Sequence, residues 1–402
     1  VSESTPDLLE QAWLRDRNVA DVVVTGRSGG IWRRLAWRVA AVLVGLAALD
    51  FALAAILPPI ELLPDTDMEA AVYTVKVDRF AAMPAPDVLF LGSSRVRDGI
   101  VPAIFAAELE RQWGRPVRAY NLGLQNAMLE EYRALVGSHL PDPPPRYVVL
   151  GISGIELVLA DDFRYAARFL WRWPDFTNWL TSVDWEGFRV ANVENYLESV
   201  LARHWYLFGH RHELSERLLR TLGLESGPRV EPDVVTPATE VIEGILSDDG
   251  FVRRHEWSTL GERLARDPND VVVWERDLLQ PSEFVVGSRF EKLRDVVAML
   301  RARGCRVALV EVPASPYLQA LNPVLQGAGL PASEGRAARP GFRTRMQELA
   351  AELDLTFVPC DAQASALGND LFTDLNHLSV AGARRYTNRV VHELINAGFF
   401  AP

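Results

Sequence analysis

Cysteine is nearly absent. Two residues in 402 are too few for a disulfide framework and give no zinc-binding spacing. Cys305 opens the run "CRVALVEVP" and Cys360 closes "LTFVPC". If those runs are neighbouring parallel strands, the sulfurs sit at opposite ends, roughly 20 Å apart at about 3.3 Å per residue, which excludes a bond between them. Positive charge is also short: 42 Lys and Arg stand against 53 Asp and Glu, for a formal net charge of -11. That balance argues against nucleic acid as a partner, because phosphate neutralisation needs a basic surface. There is no long basic run, no RNA-binding aromatic box, no Walker-type or dinucleotide-type glycine loop, no internal repeat and no low-complexity tract. No cofactor and no metal are expected. His204, His210 and His212 lie close together, but no carboxylate or Cys completes a ligand set at convincing spacing. Their aromatic and basic setting, "RHWYLFGHRHELSERLLR", suits solvated or interfacial imidazoles better.

What the chain does have is apolar mass, 49% of residues against 24% charged, enough for a large core, and a length that suggests two or three domains. One stretch is built for lipid. Val39 to Leu57, "VAAVLVGLAALDFALAAIL", is apolar except for Asp50, and at about 1.5 Å per residue its length matches a hydrocarbon layer of roughly 30 Å. A cleaved signal peptide is the competing reading, but its apolar region should be shorter. Arg27, Arg33, Arg34 and Arg38 precede the span, whereas Glu61, Asp65, Asp67 and Glu69 follow it. The positive-inside rule then puts the N-terminus in the cytoplasm of a single-pass inner-membrane protein, with the C-terminal domain periplasmic or extracellular. Trp32 and Trp37 fit an interfacial aromatic belt. Asp50 costs about 2.5 to 3.5 kcal/mol at such a depth on insertion scales. It is either a protonated or snorkelling residue without purpose, or the contact for an integral membrane protein partner.

The segments divide as a cytoplasmic tail (1–35), the transmembrane helix (36–58), a juxtamembrane linker (59–84), two parts of one α/β domain (85–156 and 286–402) and, between them, an insertion (157–285). In the α/β parts, apolar runs alternate with amphipathic helices, which calls for a parallel sheet covered on both faces. The strands are "PDVLFLGSS", "PVRAYNLG", "RYVVLGISG", "CRVALVEVP" and "LDLTFVPC", and Ser379 is placed to cap the last helix. Five such strands make a doubly wound, flavodoxin-like sheet the natural architecture, with its site outside the carboxyl ends of the strands. The insertion carries seven of the eleven tryptophans, read either as packing of a mainly helical layer or as a platform for sugar, lipid or protein.

Small and polar residues mark the strand tips: Gly92-Ser93-Ser94, Asn121-Leu122-Gly123 and Gly151-Ile152-Ser153-Gly154, with Asp374-Leu375-Asn376-His377 before the last helix. In this order and context the chain resembles the SGNH, or GDSL-like, hydrolase superfamily over about residues 85 to 156 and 287 to 398. Gly92-Ser93-Ser94 stands at the first motif, Gly123 at the second and Asp374-x-x-His377 at the last. The membrane anchor adds a likeness to the members that work beside an integral membrane acyltransferase, such as alginate O-acetylation proteins and the D-alanyl transfer protein of teichoic acids. The resemblance implies acyl transfer to a serine and delivery to a polysaccharide hydroxyl.

Serine is a poor nucleophile until a base takes its proton, and His is suited to that task. Ser94 is the nucleophile by motif position and Ser93, standing where the family has Asp, is the fallback; Asp374 would fix the tautomer of His377. The oxyanion would be received by the N–H groups of Ser94 and Gly123. The family's third motif supplies an Asn where this chain has Ser153, a shorter side chain that would serve as the third donor only through water; Asn121, Gln125 or Asn126 could substitute. Arg95, Arg97 and Asp98 are either a solvated ion pair or, for Arg95, a steering group for an anionic substrate. Two expectations result: an extracytoplasmic O-acyltransferase or esterase using Ser94, His377 and Asp374, or a catalytically degenerate domain kept as an anchored accessory subunit of a membrane assembly.

Overall fold

Short apolar runs closed by glycine or a polar turn suit strands buried on both faces, and five of them pair in parallel into one sheet of order β2-β1-β3-β4-β5. The strands of the computed structural model are β1 (Val88–Gly92), β2 (Ala119–Gly123), β3 (Tyr147–Ile152), β4 (Arg306–Glu311) and β5 (Thr356–Val358). The helices are α1 (Ser28–Ile56), α2 (Met68–Ala82), α3 (Ser94–Gly99), α4 (Pro102–Trp113), α5 (Leu129–Ser138), α6 (Leu260–Arg266), α7 (Ser288–Ala302), α8 (Pro316–Leu321), α9 (Phe342–Glu352) and α10 (Val380–Asn396). The structure describes residues 28–56, 68–125, 127–154, 156–157, 205, 207, 219, 245–253, 258–266, 288–321, 341–360 and 366–401. The tryptophan-rich "FLWRWPDFTNWL", the three clustered histidines and Asn126 lie outside the described residues.

Strand periodicity sorts the core into two layers. Leu89, Leu91, Val148, Leu150, Val307 and Leu309 pack with Phe80 of α2, Tyr132 of α5, Val296 of α7 and Met346 of α9. The alternate residues Val88, Phe90, Val149, Ala308 and Val310 pack with Phe105 of α4 and with Tyr386, Val390 and Leu394 of α10. Helices therefore cover both faces. The sulfurs of Cys305 and Cys360 are free and buried, at opposite ends of the paired strands β4 and β5.

Two segments differ from expectation. Residues 59–84 are not merely a linker, because α2 within them buries Val72, Lys76, Val77 and Phe80, and Phe80 stacks on Tyr120 of β2 with ring centroids 5.5 Å apart. The end of the stretch read as an insertion also belongs to the sheet's surroundings. Asn121 N–H on edge strand β2 donates to Asp249 O at 2.8 Å, Leu246 and Val252 pack with Val72, and Leu260 of α6 is fully buried.

The chain divides into two compact units, Val1–Ile60 with Arg203–Leu224, and Glu61–Ala202 with Glu225–Pro402. In the first, the stretch Arg33–Ala52 of α1 is long and apolar enough to cross a membrane, and its Trp37, Val44 and Phe51 are exposed. Asp50 has a partner within the chain: its Oδ1 accepts the Leu207 N–H at 2.5 Å.

Candidate active site

The strand order reverses direction between β1 and β3, which flank one another with β2 outside β1. Such a switch point is where open parallel sheets hold their ligands, beyond the carboxyl ends. Helix α3 starts there, directly after β1. Its Val96 sits between two glycines: a Cβ on Gly92 or on Gly151 would come within 2.0 or 2.1 Å of the Val96 methyl. Gly123 is held to glycine in the same way, its absent Cβ lying 2.4 Å from Arg97 N. Asn121 fastens α3 from below, its Nδ2 donating to Val96 O and Ile100 O, both at 2.7 Å. Ser94, the first residue of α3, is thus set on a helix anchored to three strand tips.

The other half of the site arrives from the far end of the chain. Phe372 and Leu378 form an isolated bridge, Thr373 N–H donates to His377 O at 2.9 Å, and Leu375 is fully buried. With Leu375 anchored in the core, the closed loop keeps Asp374 and His377 together. Asp374 Oδ1 accepts the N–H groups of Asn376 and His377, each at 2.8 Å. Helix α10 follows, capped by Ser379, whose side chain accepts from Gly382 N–H. Thr387 of α10 accepts from Val101 N–H at 3.0 Å and donates to Gly99 O at 3.2 Å, which locks this loop's helix to the end of α3.

The two halves meet. His377 Nε2 lies 2.8 Å from Ser94 Oγ, and His377 Nδ1 lies 2.9 and 2.8 Å from the two oxygens of Asp374. An ionised carboxylate only accepts, so Nδ1 carries the ring proton and Nε2 is left to accept from the serine hydroxyl. Ser93 is not the nucleophile in this arrangement: its hydroxyl donates to Glu156 Oε1 at 2.6 Å.

The oxyanion donors fare unequally. Gly123 N–H donates to Asn121 Oδ1 at 2.8 Å, so it is already engaged and does not face an incoming oxygen. Ser153 spends both of its donors on Glu156, the N–H at 2.9 Å and the hydroxyl in a short hydrogen bond, while its oxygen accepts from Arg95 Nη1. Asn121 does not substitute, because its amide holds α3. Of the expected three, only Ser94 N–H, at a helix start where N–H groups have no intrahelical acceptor, is unengaged among the described residues. Gln125 has a buried Oε1 without a hydrogen-bond partner.

Arg95 is neither solvated nor free to steer. It is 6% exposed and its Nη2 lies 3.5 Å from Glu156 Oε1. Arg97 and Asp98 are likewise buried, with Arg97 Nε donating to Asp98 at 2.6 Å. The fold places Asn121, the 245–253 turn and α10 over α3, so a short charged helix that reads as surface becomes interior. Burial drives the Tyr132 phenol beside this cluster well above its ordinary value, the Glu156 carboxylate adding to the rise and Arg95 opposing it.

Glu156 and Lys76 escaped the sequence, as did the helix-holding role of Asn121. Glu156 follows Ser153 at the S-x-x-E spacing of a capping box, a local signal for its bond to Ser153 N–H but not for its contact with Ser93 or Arg95. Lys76 is fully buried and its Nζ donates to Gly123 O at 2.5 Å; it shares the i, i+4, i+8 stripe of Val72 and Phe80, the face that α2 buries. Asn121 is a polar residue inside an apolar strand. Among the described residues no set of three or more His, Cys, Asp or Glu side chains gathers for a metal. Compared with known proteins, the chain matches no family model and no curated sequence.

Proposed function

We propose that this protein is a membrane-anchored O-acyltransferase or esterase that acts outside the cytoplasm on a glycan or another cell-envelope ester, with Ser94 as nucleophile, His377 as general base and Asp374 as its orienting carboxylate. The observation that carries this reading is the continuous hydrogen-bonded line from Ser94 Oγ through His377 to Asp374. His377 would take the Ser94 proton as the oxygen attacks an acyl carbonyl, and return it to the leaving alcohol; the acyl-serine would then pass its group to water or to a sugar hydroxyl. Ser94 N–H would receive the developing negative charge. A doubly wound, flavodoxin-like sheet of the SGNH kind is the fold reading that accompanies it, supported by the strand order and by helices on both faces. The apolar α1 supports an inner-membrane anchor, and an acyl group crossing the membrane calls for an integral membrane partner to supply it.

The engaged donors at Gly123 and Ser153 favour a second reading, an SGNH-like domain that has lost turnover and serves as an anchored accessory subunit. Loss of one oxyanion donor costs on the order of 100-fold or more in rate. A fluorophosphonate probe separates the two: the purified full chain should be labelled, and Ser94→Ala should abolish labelling. A folded wild-type protein that takes no label belongs to the accessory class.

A further inference from the structure

We infer that Glu156 is a positioning residue that aims Ser94 at His377 by holding both of its chain neighbours. The inference rests on the triad reading above and deepens it. Glu156 lies four residues beyond β3 and is 1% exposed. Its Oε1 accepts the Ser93 hydroxyl at 2.6 Å and faces Arg95 Nη2 at 3.5 Å. Its Oε2 accepts Ser153 N–H at 2.9 Å and the Ser153 hydroxyl. One carboxylate therefore grips the residue before the candidate nucleophile, the residue after it, and the tip of the strand beside it. With Ser93 and Arg95 both fixed, the Ser94 backbone has little freedom, and the direction of its Cα–Cβ bond is set.

A buried ion pair is a weak source of stability, since apolar residues of the same volume often serve as well or better. What it supplies here is direction: Ser93 and Arg95 are pulled to the same anion while Ser94, between them, turns toward His377 Nε2 at 2.8 Å. Tyr132 is fully buried beside the cluster. A displacement of about 1 Å at a nucleophile can cost on the order of 100-fold in rate, so a carboxylate that holds the neighbours of Ser94 acts on the chemistry through placement.

The test uses the full chain in detergent with ¹⁵N-histidine, and reads the His377 ring nitrogens alongside fluorophosphonate labelling. Ser94→Ala should move the Nε2 resonance, since it removes the hydroxyl that Nε2 accepts. Glu156→Gln, which keeps the shape and removes the charge, should move it in the same direction and slow labelling roughly 10- to 100-fold. Ser93→Ala leaves the Arg95 to Glu156 pair intact and should give a smaller shift of the same sign; it decides the matter if Glu156→Gln does not fold. A folded Glu156→Gln protein, or failing that Ser93→Ala, with the wild-type resonance and labelling rate overturns the positioning role alone. A resonance that Ser94→Ala itself leaves in place overturns the triad reading, and this inference with it. Wild-type protein that takes no label while its ring shifts as described loses turnover but keeps the positioning role.

Discussion

Asp374 performs two tasks with one carboxylate. Its Oδ1 closes the turn through the N–H groups of Asn376 and His377, and both oxygens face the Nδ1 of the His377 ring. Asp374→Asn would keep an oxygen for the turn but present an amide N–H to the ring, reversing the tautomer so that Nε2 carries the proton and no longer accepts from Ser94. Labelling at Ser94 is expected to fall on the order of 10³-fold or more with little change in the thermal midpoint; unchanged labelling would remove Asp374 from the chemistry. Ser94, Asp374 and His377 were legible in the sequence because each sits in a short motif at a strand tip or before a helix. Glu156, Lys76 and the true role of Arg95 were not, since each is defined by a partner remote in the chain: Ser93 lies 63 residues from Glu156, and Gly123 lies 47 from Lys76. Local spacing carries no record of such contacts.

Among the elements, strand starts are tied together by Asp87. It accepts from Arg115 Nη2 at 2.8 Å and from Arg118 N–H at 2.9 Å, and its own carbonyl accepts Tyr147 N–H at 3.1 Å, so the entries to β1, β2 and β3 share one residue. Burial pushes its carboxyl up, but the Arg115 and Arg118 contacts outweigh that and hold it below the ordinary 3.8. A carboxylate with a lowered folded pKa contributes stability above its unfolded value and loses it as pH falls through the folded one. Asp87→Asn should therefore lower stability by about 1 kcal/mol near neutrality, and the gap to wild type in urea midpoints should close below pH 3.8; a gap that persists in acid would assign the effect to shape rather than charge. The five strands and helices α4, α5, α7, α9 and α10 were readable from periodicity. Helix α2 was not, because eleven residues separate it from the apolar α1 and the proline- and acid-containing start of that stretch resembles a linker. Helix α3 was hidden by its charges: Arg95, Arg97 and Asp98 signal a surface, and only the elements closing over them make an interior.

At the scale of the molecule, the apolar helix of the first unit leaves Trp37, Val44 and Phe51 exposed, and the proposed membrane anchor would cover them. Replacing Leu43 and Leu46 together by Arg should cost about 2.5 to 3.5 kcal/mol for each residue on insertion scales, and should move the protein from the membrane pellet to the supernatant on alkaline extraction. Unchanged pelleting would place this helix outside the bilayer. Within the second unit, the Ser94 to His377 bond spans 283 residues, and that separation orders events during biogenesis. A chain emerging from the ribosome exposes its serine long before its imidazole exists, and α10 must dock on Gly99 and Val101 before the two align. On the triad reading, the growing chain would hold no complete Ser94, His377 and Asp374 set until α10 has docked.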